Sequence, residues 1–177
     1  MTILTDARRS LVSMMLTLAP ALAAAGGPGA HVHGAAALEV ALDQGSLSIT
    51  LDSPLDNLLG FEHAPRTDRQ KQAAKALADT LRRGDVLFGL PAAAKCTLKD
   101  VQLQAPVLGL GQGEAGGEHA SLQADYLFAC AAPAALNGID VNLFDRFRGL
   151  HKLDARVAGP RGQSAVKLTG KQRRLAW

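Results

Sequence analysis

Leu38-Glu39-Val40-Ala41-Leu42 and Leu47-Ser48-Ile49-Thr50-Leu51 flank the tetrapeptide Asp43-Gln44-Gly45-Ser46. Apolar residues fall on every second position of both runs, and the four residues between them are turn formers. The stretch therefore reads as a β-hairpin with one buried face. The same period returns downstream at Leu122, Ala124, Tyr126, Phe128 and Cys130, which points Cys130 inward. Cys96, Leu98, Val101 and Leu103 follow it with a break near Lys99-Asp100, as a bulge would produce. Ile139-Val141-Leu143, Leu153-Ala155-Val157 and Val166-Leu168 are three further short strands, the last two joined by the turn Gly159-Pro160-Arg161-Gly162. One helix is well signalled. Thr67 and Gln70 have capping-box spacing, Ala73, Ala74, Leu77, Ala78 and Leu81 form one stripe, and Gly84 stands where a terminating glycine is expected. A shorter helical turn is expected from Pro133 to Asn137-Gly138. The expected class is α+β: an antiparallel sheet or sandwich of about seven strands with one long helix.

The chain has 177 residues, of which 20% are charged and mixed in sign, with 19 Lys+Arg against 16 Asp+Glu. So even a balance excludes a disordered acidic or basic tail, and it is no nucleic-acid footprint. Aromatics at 4% speak against a stacking platform for single strands. Hydrophobic residues make up 47%, much of it alanine.

Arg8 and Arg9 precede an uncharged apolar run, Leu11 to Leu22, and small residues Ala23, Ala24 and Ala25 follow. This is the layout of a cleaved secretory signal, and the run is shorter than the roughly 20 residues that span a bilayer. The expected organisation is a signal peptide over 1–25, a flexible leader over 26–37, and one globular domain over 38–177. Export to the periplasm without membrane insertion after cleavage follows from that reading. An oxidising compartment favours a disulfide between Cys96 and Cys130, with Cα atoms roughly 4.4–6.8 Å apart. If the two strands pair antiparallel, that bridge is expected to close the base of the glycine-rich loop from Pro106 to His119, a mobile segment.

Five histidines carry the candidate chemistry. His31-Val32-His33-Gly34 sits at the entry to the first strand, and in extended chain residues i and i+2 point the same way, so both imidazoles can meet one metal ion. Gly60-Phe61-Glu62-His63-Ala64-Pro65 offers an oxygen and a nitrogen donor side by side. Glu118-His119 ends the glycine-rich loop. His151 alternates with Leu153, Ala155 and Val157 and reads as a core or rim residue. No nucleophile elbow, phosphate loop or H-E-x-x-H motif occurs.

These pieces together resemble a known family. His31-Val32-His33-Gly34, the hairpin, Pro54-Leu55-Asp56-Asn57-Leu58-Leu59-Gly60-Phe61-Glu62-His63-Ala64-Pro65, Tyr126-Leu127-Phe128-Ala129-Cys130 and Leu143-Phe144-Asp145-Arg146-Phe147 are similar to the ZrgA-like zinc-binding periplasmic proteins. The resemblance implies an exported, non-enzymatic zinc-binding accessory of zinc uptake that hands metal to an ABC-type importer. It departs from the family's pattern in one place: the loop from Gly109 to His119 holds glycines and one histidine where members carry a histidine- and acid-rich run. The expected zinc ligands are His31, His33 and His63, with Glu62 or His119 completing a tetrahedron. Two other classes stay open at this point: a zinc-dependent hydrolase with Glu62 as general base, and a structural or interaction module with incidental histidines. Imidazole donors alone leave zinc, copper and nickel undistinguished.

Overall fold

A computed structural model describes residues 32–112 and 120–177. The expected signal peptide, the first part of the leader with His31, and the loop end with His119 lie outside the described residues. Nine strands are present among those described. β1 (Ala35–Asp43) and β2 (Ser46–Pro54) form the hairpin, pairing Leu38 with Leu51, Val40 with Ile49 and Leu42 with Leu47. Its turn places both Gln44 and Gly45 at positive φ, the geometry that matches the twist of the flanking strands. β1 begins at Ala35, three residues before the expected start of the globular part.

β2 runs into α1 (Leu55–Leu59), which ends at Gly60 in the left-handed region. α2 (Asp68–Leu81) carries the capping box, with the Thr67 hydroxyl accepting from Gln70 N and the Gln70 carboxamide accepting from Thr67 N. Its C-cap is Arg82 rather than a residue at the expected glycine stop. Gly84 instead opens α3 (Gly84–Leu87), and a side chain is excluded there because the Tyr126 ring fills the space where a Cβ would stand, 2.5 Å from Cδ1. β3 (Phe88–Gly89) follows, then β4 (Cys96–Gln104), β5 (Ser121–Cys130), β6 (Gly138–Val141), α4 (Leu143–Arg146), β7 (Lys152–Gly159), β8 (Gly162–Thr169) and β9 (Arg174–Ala176).

Six strands make the large sheet in the order β4-β5-β2-β1-β7-β8, and β3-β6-β9 make a small one. Two features depart from the expectation of an antiparallel sheet or sandwich of about seven strands with one long helix. The sheet is mixed, since β1 and β7 pair in parallel, and α2 is accompanied by three short helices. Leu143 belongs to α4, not to the strand of Ile139 and Val141, because the chain turns at Asn142. The stretch after β4 is not loop throughout either. Pro106–Leu108 is a 3-10 turn, and Ala105 pairs with Leu110 across it. The expected bulge lies between Leu98 and Asp100 on β4, an edge strand.

One face of the large sheet is buried. Leu38, Ile49, Leu51, Leu122, Phe128, Leu153 and Val157 join Leu77 and Leu81 of α2 and Ile139 and Leu175 of the small sheet in one continuous core. Tyr126 lies within it, edge-on to Phe88 at 5.1 Å. Burial pushes the Tyr126 phenol far above its usual range, so the group stays neutral, and its hydroxyl has no hydrogen-bond partner among the described residues. A buried hydroxyl without a partner contributes nothing to offset its lost hydration. Tyr126→Phe is therefore expected to leave unfolding free energy unchanged or raised by about 1 kcal/mol in a urea melt, and a loss above about 2 kcal/mol would contradict this.

Cys96 and Cys130 are bonded, and they sit directly opposite each other in the β4–β5 ladder. Their Cα atoms are 3.8 Å apart, closer than the expected range of roughly 4.4–6.8 Å. The bridge does not close the base of the glycine-rich loop. That loop leaves β4 after Gln104 and re-enters at Ser121, whereas the disulfide ties the far end of the same strand pair, beside the β1–β2 turn at Gly45.

Candidate metal-binding corner

Topology gathers the histidine-bearing segments at one end of the large sheet. The start of β1, the end of β2, the start of β5 and the start of β7 coincide there, since Pro54 pairs with Ser121 and Ala35 with Lys152. His33 stands just before β1, His63 follows α1, and His151 immediately precedes β7. At the same end the Leu55 amide donates to the carbonyl of Ala120 at 2.9 Å.

The His-x-His segment is not extended at His33. Ala35 N donates to Val32 O at 3.0 Å, and Gly34 has φ +80°, so His33 and Gly34 are the central residues of a tight turn. His31 lies outside the described residues, and the turn concerns His33 and Gly34 themselves. Asn57 accounts for the difference: its Oδ1 accepts from Gly34 N at 2.6 Å, and its Nδ2 donates to Ala35 O at 2.7 Å. The chain is gripped on the strand side of His33 by a residue of α1.

The preceding residue of the same helix reaches the ring. Asp56 Oδ2 lies 3.2 Å from His33 Nδ1, and Glu62 Oε1 lies 3.9 Å from His33 Nε2. A carboxylate accepts, so Nδ1 carries the hydrogen in the contact with Asp56, and it is the neutral ring in this tautomer that offers its Nε2 lone pair to a metal ion. The His33 side chain is 62% exposed, that of Asp56 35% and that of Glu62 only 10%. An open ring is thus held by one carboxylate and faces another that is largely withdrawn from water.

His63 is oriented by its own surroundings. Nδ1 is 2.9 Å from the carbonyl of Ala64, which can only accept, so this nitrogen is the donor and Nε2 carries the lone pair. The Phe61 ring packs at 5.2 Å and limits rotation of the imidazole. His151 is exposed rather than in the core. Its amide donates to Gly34 O at 2.8 Å, and its ring covers Gly34, where a Cβ would come within 2.7 Å of Cδ2.

The structure therefore brings together two of the sequence-derived candidates, His33 and Glu62, and adds Asp56 of the Pro54–Pro65 block. His31 and His119 lie outside the described residues. Among the described residues, no group of three or more His, Cys, Asp or Glu is placed to hold a metal ion. The donor set at this corner is one imidazole nitrogen and one carboxylate oxygen, chemistry that suits zinc. An outer carboxylate on Nδ1 is the usual companion of a ligating histidine, fixing its tautomer and raising its basicity.

A family model described as ZrgA family zinc uptake protein matches residues 30–177. No curated protein matches the chain. No helix among the described residues is long and apolar enough to cross a membrane.

Proposed function

The chain belongs to the ZrgA family of zinc uptake proteins, and from that premise we propose that it is an exported periplasmic accessory that binds zinc as cargo at the His33–Glu62 corner and passes it to an ABC-type importer. The observation that carries this reading is the His33 ring, held through Nδ1 by Asp56 with Nε2 beside the sheltered Glu62 carboxylate. In it, His33 Nε2 and Glu62 Oε1 supply two ligands and Asp56 orients the first. His63 and His31 supply the other two, with His119 as the alternative fourth donor.

A site completed by ligands from several separate segments suits a carrier, because each bond can be exchanged singly for a donor on the receiving protein. The test is growth in chelator-containing medium of a strain lacking the protein. The wild-type chain is expected to restore growth, and His33→Ala/Glu62→Gln is expected not to. Full rescue by the double variant, or growth of the deletion strain equal to its parent, would overturn the proposal.

A further inference from the structure

We infer that Asn57 is the positioning residue of this corner: it sets the turn that presents His33, without touching the metal. The inference rests on the reading of His33 as a zinc ligand. Asn57 is 2% exposed, and both ends of its carboxamide are hydrogen-bonded at the entry to β1 and its surroundings. The one acceptor takes Gly34 N at 2.6 Å, and the amide nitrogen donates to Ala35 O at 2.7 Å and to Ser53 Oγ at 3.2 Å. A carboxamide is the side chain that offers an acceptor and two donors on one planar group, so the match to a backbone N–H and two oxygens is complete.

Asn57 is itself fixed from behind. Gly149 passes so close that a Cβ there would stand 2.7 Å from Asn57 O. Through α1, Asn57 is also rigidly linked to Asp56, its chain neighbour and the partner of His33 Nδ1. One five-residue helix thus holds the backbone beside His33 with one residue and the ring with the residue before it. The His33 ring is 62% exposed and has little packing of its own, so its direction depends on that grip. The same bonds account for the departure from extended chain at Gly34. Replacing Asn57 by aspartate would put a carboxylate oxygen against Ala35 O, where the amide now donates.

The experiment is calorimetric titration of the full disulfide-bonded chain with zinc chloride, in wild type, Asn57→Ala, His33→Ala and the double variant. Loss of a residue that orients a ligand typically weakens binding about 10–100-fold, and at least about tenfold is expected for Asn57→Ala. Acting through His33, Asn57→Ala is expected to change Kd less than about twofold in the His33→Ala background, which a general loss of structure would not reproduce. Ser53→Ala removes one bond to Asn57, and is expected to weaken binding by a smaller factor if Asn57→Ala does not fold. Wild-type affinity in Asn57→Ala or in Ser53→Ala, or an equal loss in both backgrounds, overturns the inference. If His33→Ala binds as tightly as wild type, the reading of His33 as a ligand falls, and the role of Asn57 falls with it.

Discussion

Replacing Cys96 and Cys130 together by alanine is expected to lower the unfolding free energy by about 3.5–4 kcal/mol. The two cysteines are 34 residues apart in sequence, and the bond removes the loop-closure entropy of that segment from the unfolded chain. Little in the folded state offsets the loss. β4 is an edge strand whose Cys96, Leu98, Val101 and Leu103 are only half-buried, and a bulge interrupts its ladder with β5. A urea melt should show the lower midpoint with a somewhat steeper slope, because the unfolded chain without the bridge exposes more surface. A difference below about 1 kcal/mol would mean that the unfolded chain is already constrained there. Zinc affinity is expected to stay within about twofold. The bridge ends β5 at Cys130, and the metal-binding corner lies at its start, about 30 Å away along ten residues of strand.

How much of this was readable beforehand depends on how local each signal is. The β1–β2 hairpin, β5, the β4 bulge and the α2 capping box follow from alternation and spacing within about 15 residues, and they appear where that pattern puts them. β3 and β9 are two and three residues long and exist only because β6 lies between them, which no local period reveals. The parallel β1–β7 pair likewise joins segments more than a hundred residues apart. At the corner, His33 and Glu62 stood out by residue type. Asp56 and Asn57 did not, since nothing in Pro-Leu-Asp-Asn distinguishes a buried clamp from a solvated turn. The neighbours Glu62 and His63 also part company: Glu62 Oε1 lies 3.9 Å from the His33 ring, while His63 bonds the carbonyl beside it.

His33→Ala and Glu62→Gln are each expected to weaken zinc binding by about 100-fold, the larger of the effects at this corner. A lost ligand removes a direct metal bond, whereas an orienting partner such as Asp56 acts only through the ring, within about 10–100-fold. Glu62→Gln is the sharper of the two variants, since it keeps the shape of the side chain and exchanges an anionic oxygen for a neutral amide, a poorer donor to a dication. Asp56→Asn is expected to fall between wild type and His33→Ala, because a carboxamide can still accept from Nδ1 through its oxygen but carries no charge. Retention of wild-type affinity by both His33→Ala and Glu62→Gln would remove these residues from the site.

The position of the metal itself tests the central claim most directly. Crystals of the zinc-loaded chain, measured above and below the zinc absorption edge, should show one strong anomalous peak about 2.0–2.2 Å from both His33 Nε2 and a Glu62 carboxylate oxygen. Asp56 should remain on Nδ1, outside the coordination sphere. A peak that touches neither His33 nor Glu62, or bound zinc with both side chains left as they are without it, would contradict the assignment.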